Sequence, residues 1–176
     1  MTDKDQLNRF ANELANKYTA YFDVYRDEPA GEMPMSFIAL FKRRDERYML
    51  SKKITIYGVE NQQIVYAKVC GEIKKLFLND YVSAIKKHSE QCIPAHHEHM
   101  STVILGLMIT NHNLDAEIIK EVRRFRKLKL LKFGLNGWYE MYLAVIQPEK
   151  RKIVIHPKGK TFVFPIEKFL KEGMTV

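Results

Sequence analysis

Residues 101–110, STVILGLMIT, constrain the fold more than any other stretch of the chain. Positions 103–109 carry no polar side chain, Val103 and Ile104 are β-branched, and Gly106 would weaken a helix. The segment therefore reads as a strand buried on both faces, without the alternation of a half-exposed one. A strand of that composition belongs near the middle of a sheet, with neighbours on both edges. The run is also far shorter than the roughly 18 apolar residues that span a bilayer. The N-terminus, MTDKDQLNRF, has no apolar leader core, so neither membrane insertion nor secretion is expected.

Around this strand, helical and strand-like patterns alternate. Leu7, Phe10, Ala11, Leu14 and Tyr18 recur at helical spacing over residues 3–19, with Thr2 and Asp5 placed as an N-terminal capping pair. Residues 20–26 alternate as a strand, and 27–34, with Pro29, Gly31 and Pro34, read as a loop. A hairpin follows, with arms at 35–41 and 48–57 joined by the charged KRRDER of 42–47. A turn at 58–62 and a strand at 63–70 complete an antiparallel meander. Ile73, Leu76, Phe77, Tyr81, Ala84 and Ile85 then draw a second amphipathic helix over 72–88.

Beyond the apolar strand, Asn113 can cap a third helix with Leu114, Ile118, Val122 and Phe125 on its inner face. Leu128 and Leu130 alternate with Lys127 and Lys129, which favours a strand over a continued helix. Trp138 reads as a core residue of a strand over 138–146, followed by short strands at 152–156 and 161–164 and a last helix opened by Pro165. Aligning Ala39 with Ala144 sets IALFKRRDERYML beside LAVIQPEKRKIVI, an echo of one charged-turn hairpin in another. The expected fold is one α+β domain over 1–176, a mainly antiparallel sheet with helices packed on one side.

Charge is distributed unevenly. The chain carries +8 overall, yet residues 1–35 hold four bases against seven acids, and residues 120–132 hold seven bases against the single acid Glu121. Such a field favours an anionic partner: nucleic acid, a phosphorylated metabolite or an acidic protein surface. Arg123, Arg124, Arg126 and Lys127 are the candidate anion-binding residues. The same bases also serve simply to keep a protein soluble. The two cysteines, Cys70 and Cys92, fit free thiols in a cytoplasmic protein better than a disulfide framework.

The most chemically loaded segment precedes the apolar strand. His96, His97 and His99 lie within four residues, with Glu98 between them and His88 and Cys92 upstream. His96, Glu98 and His99 could hold a divalent metal, the basis of an alternative reading as a metal-dependent enzyme. The spacing departs from the zincin helix, because Ser101 stands where its second histidine is required. It departs from nucleobase deaminases too, since no Pro-Cys-x-x-Cys follows. Restriction-type nucleases share the helix, strands, helix, strand order, but Tyr66 stands where their acid before Lys68 should be. Phosphate loops, dinucleotide fingerprints and nucleophile elbows are missing. No catalytic residue and no cofactor is assigned.

SKKITIYGVE from Ser51, HEHMSTVILGLMIT from His97 and FGLNGWYEMYLAVI from Phe133 resemble segments of a bacterial protein family of unknown function, over most of the chain. The resemblance implies that the His-Glu-His-Met element leading into the apolar strand is a family feature. It implies no activity. The expected protein is a cytoplasmic binding domain with a basic surface, whose partner is itself, nucleic acid or another anionic molecule.

Overall fold

The computed structural model describes residues 2–48, 55–93, 99–135 and 137–173, without the side chains of 43–48, 55–60, 99, 100 and 132. The chain begins with α1 (Asp3–Tyr18), whose capping box is formed as its sequence dictates. The Asp5 amide donates to the Thr2 hydroxyl at 3.2 Å, and the Thr2 amide donates back to the Asp5 carboxylate at 2.9 Å. β1 (Asp23–Arg26) follows, then a small hairpin of β2 (Pro29–Ala30) and β3 (Met33–Pro34) inside the expected loop.

Two long strands, β4 (Phe37–Tyr48) and β5 (Thr55–Val69), pair antiparallel along almost their whole length. The KRRDER segment is therefore strand and not turn, with Lys42 opposite Gln62 and Arg47 opposite Tyr57. Residues 58–62 likewise continue β5. A run of charged residues reads the same in sequence whether the chain turns there or continues as a strand, so the expected four-strand meander contracts to three. The echo between residues 39 and 144 is not structural either: its first half is strand without a turn as far as Tyr48, whereas its second half turns at Pro148.

α2 (Lys75–Cys92) then crosses the sheet and returns the chain as β6 (His99–Ile109), which is the apolar strand. β6 lies between β5 and β8 (Trp138–Gln147), and both pairings are parallel. Its central position is as expected, and the sheet is mainly antiparallel as expected, though these two parallel pairings make it mixed. The two helical connections, α2 and α3 (Ala116–Arg124), supply the length that parallel crossovers require. The far edge of β8 is shared by two antiparallel strands, β7 (Arg126–Leu130) along its first half and β9 (Lys152–Ile155) along its second. The seven-stranded order is β1-β4-β5-β6-β8-β7, with β9 beside β7's position.

Helices cover both faces, not one. α1 and α4 (Lys160–Glu172) pack on Phe37, Ala39, Val65, Ala67, Leu105, Leu107, Ala144 and Ile146. α2 and α3 pack on the alternate residues, among them Ile38, Ile64, Tyr66, Ile104, Met108, Met141 and Leu143. The two-residue period of each strand thus feeds two separate cores, which is why β6 has no polar face to show. The expected strand at 161–164 is the start of α4, where Val163, Ile166 and Leu170 are buried at helical spacing and override the local β-branched and aromatic preference.

Gly106 is the point at which α2 comes down on the sheet. A Cβ there would meet Ile85 Cδ1, Leu143 Cδ2 and Tyr81 Cε1, each at 2.9 Å. Tyr81, fully buried, then donates its hydroxyl to the carbonyls of Tyr66 at 2.9 Å and Leu107 at 3.2 Å, anchoring the helix to β5 and β6 together.

Candidate functional site

The basic run folds into the second half of α3, the residue Phe125, the whole of β7 and the two residues after it. Ile118 and Val122 turn inward, so Lys120, Arg123 and Arg124 project from the exposed face of α3. Phe125 leaves the helix with extended backbone, at φ −72° and ψ 108°, and from there the period changes from helix to strand. Lys127 and Lys129 consequently share the face of their cross-strand partners Met141 and Tyr139, while Arg126, Leu128 and Leu130 share the other face with Tyr142, Glu140 and Trp138. Trp138 is half-buried at this edge and not a core plug.

This change of period separates the four candidate anion binders. Arg126 is occupied: its Nη2 donates to Glu140 Oε1 at 2.7 Å and its Nε to the Tyr142 hydroxyl at 3.2 Å. Tyr142 in turn donates to Glu140 Oε2 at 2.6 Å. Burial opposes ionisation of Glu140, but the hydrogen bonds from Tyr142 and Arg126 and the charges of Arg126 and Lys158 outweigh it and hold the carboxyl below its ordinary value. Arg123, Arg124 and Lys127 form no ion pair among the described residues; Lys127 lies over the Phe125 ring at 5.4 Å. The one acid of the run, Glu121, is drawn the other way, to Lys75 of α2 at 2.9 Å, with Glu117 joining at 3.3 Å. Lys129 of β7 reaches Glu90 of α2 at 3.8 Å, so the bases left without an acid are Arg123, Arg124 and Lys127.

A second cluster lies under the last turns of α2. His88 and Cys92, four apart, share one helix face, and the Tyr66 hydroxyl meets His88 Nδ1 at 2.9 Å. Burial pushes the Tyr66 phenol far above its ordinary value, so it keeps its proton within this hydrogen bond. The Cys92 sulfur stands 3.9 Å from the same nitrogen. Its thiol is raised by burial against an opposing effect of Lys42, the reverse of what a nucleophile needs. Below them, Thr102 donates to Gln62 at 3.1 Å and Gln62 donates to the Cys92 carbonyl at 3.3 Å, closing the helix end onto β5 and β6. Periodicity read the helix as ending at 88, which hid this pair; a helix continued to Cys92 would have placed the two residues on one face.

The metal candidates are placed only in part. His96 and Glu98 lie outside the described residues, as does the His99 side chain, and no group of three His, Cys, Asp or Glu among the described residues could hold a metal ion. The nuclease comparison ends at the chemistry: Tyr66 is fully buried and engaged with His88, and Lys68 donates to the Pro34 carbonyl at 2.7 Å. Cys70 is an inert thiol, 8% exposed and pushed up to about 12 by burial. Among the described residues, no helix is long and apolar enough to cross a membrane.

No curated protein and no solved structure matches the chain. A family model does match, over residues 6–168, from within α1 to within α4, so the resemblance read from the three segments extends through the whole architecture described above. The chain belongs to the family described as Domain of unknown function (DUF8052).

Proposed function

We propose that this protein is a binding domain whose basic surface, at the end of α3 and along β7, receives an anionic partner. The observation that carries the reading is the diversion of Glu121 to Lys75, which leaves Arg123 and Arg124 without an ion pair among the described residues, beside an equally unpaired Lys127. Arg126 is withdrawn from the binding set, because its guanidinium serves Glu140 and Tyr142. Exposed bases of this kind act through long-range attraction that ions screen, at a Debye length of about 8 Å in physiological salt.

Retention on immobilised heparin tests this. The double variant Arg123→Ala/Arg124→Ala is expected to elute at lower salt than the wild type. A charge-matched control on the opposite face of the sheet, Lys160→Ala/Lys171→Ala in α4, is expected to elute with the wild type. If both variants elute earlier by the same amount, only net charge matters and the reading is wrong.

A further inference from the structure

β7 ends the sheet, and no described strand pairs with its outer edge. It is also unusually open: Leu128 is 52% and Leu130 60% exposed, and the residues after it, Phe133 and Leu135, are 102% and 80% exposed. An edge strand that combines unpaired backbone with exposed leucines is a template for another strand. We propose, resting on the anionic-partner reading above, that β7 is the docking edge for an extended acidic segment of a partner protein, which adds to the sheet as a further strand.

The alternation of β7 specifies that segment. Lys127 and Lys129 point to the α2–α3 side of the sheet, where Lys127 has no ion pair among the described residues and the exposed Lys129 reaches Glu90 of α2 at 3.8 Å, and Leu128 and Leu130 point to the α1–α4 side. An added strand with acids on one face and apolar residues on the other sets each beside its complement, the cross-strand pairing that stabilises sheets. The five residues of β7 offer about 17 Å of edge. Arg123 and Arg124, at the end of α3 just before β7, extend the positive field beyond the strand's start.

The same residues argue against a second copy as the occupant. Pairing β7 with itself brings the Lys127 and Lys129 of two copies onto one face beside each other, a repulsive arrangement. Lysine is also the residue with which edge strands keep copies apart. A nucleic acid would use the bases and could stack on Phe133, but it leaves the leucines and the strand's backbone edge without a role.

The test is amide hydrogen exchange on the full chain, with three probes: a soluble peptide of alternating glutamate and valine about eight residues long, its lysine–valine counterpart, and a single-stranded oligonucleotide. The glutamate peptide is expected to slow exchange in β7 by about tenfold or more and to lose that effect at high salt, whereas the lysine peptide has none. Lys127→Glu/Lys129→Glu is expected to abolish the protection, and the milder Lys127→Gln/Lys129→Gln to weaken it with an unchanged melting midpoint. If the oligonucleotide binds and the glutamate peptide does not, or the peptide binds without protecting β7, this inference is overturned while the anionic-partner reading stands. If none of the probes binds, both fall. If β7 becomes protected with rising protein concentration alone, its occupant is a second copy and the inference is again overturned.

Discussion

Arg126 donates to Glu140 at 2.7 Å across the β7–β8 pair, and Tyr142 closes the triangle from the next position on the same face of β8. The three groups satisfy one another at the open end of the sheet. That makes Arg126 a structural residue in the middle of a run whose Arg123, Arg124 and Lys127 are exposed and form no ion pair among the described residues.

Substitutions should separate these roles. Arg126→Ala is expected to lower the melting midpoint clearly, because it strips two hydrogen bonds from the Glu140–Tyr142 pair. Arg123→Ala/Arg124→Ala, on an exposed helix face, should stay within about 0.5 kcal/mol of the wild type per site. Thermal unfolding followed by circular dichroism reads both.

Glu140 gives the pair a pH signature. Its carboxyl is held below the ordinary value of 4.5, so the unfolded chain binds the proton more readily and the stabilisation is present above that value. It is lost as pH falls through the lower folded-state value. The urea midpoint of the wild type should therefore drop more steeply below about pH 4.5 than that of Glu140→Gln, and equal slopes would show that the network contributes nothing.

Gly106→Ala should destabilise by about 1–3 kcal/mol, the usual cost of overpacking. The end of Ile85 can swing away from the added methyl, but the Tyr81 ring is fixed by its hydroxyl on the carbonyls of Tyr66 and Leu107. Tyr81→Phe should cost about 1–3 kcal/mol for the buried carbonyls it leaves short of a donor. Denaturant unfolding measures both, and a neutral Gly106→Ala would mean that α2 does not sit as close to β6 as described.

The two thiols should differ in reach more than in activation. Cys92, half-buried beside His88, is expected to react with a thiol reagent in the native protein, more slowly than a free cysteine because burial raises its value. Cys70 should react only on unfolding. One thiol titrating in the native state and two in denaturant is the expected count; two in the native state would contradict the burial of Cys70.

The parts of the fold legible in sequence are those where one interaction dominates a stretch. The Thr2–Asp5 box announces α1, and the seven positions without a polar side chain announce a central strand. Elements whose identity depends on distant partners were not legible. KRRDER is strand because β5 runs alongside it, and residues 161–164 are helical because Val163 and Ile166 reach the core under α1. Parallel pairing of β6 depends on where α2 delivers the chain, which no local pattern records. The site divides in the same way: charge clustering pointed to the α3–β7 junction, but only the helix end at Arg124 decides that Arg126 faces Glu140 while Arg123 and Arg124 face solvent.

The salt dependence of binding to a heparin oligosaccharide, measured by titration on the wild type and on Arg123→Ala, Arg124→Ala and Lys127→Ala singly, tests the basic surface most directly. The logarithm of the affinity should fall linearly with the logarithm of salt concentration, and each substitution should make that slope shallower by about one. Lys160→Ala, on the opposite face, should leave it unchanged. Identical slopes for all five proteins, or an affinity indifferent to salt, would contradict an anion-binding surface at the α3–β7 junction.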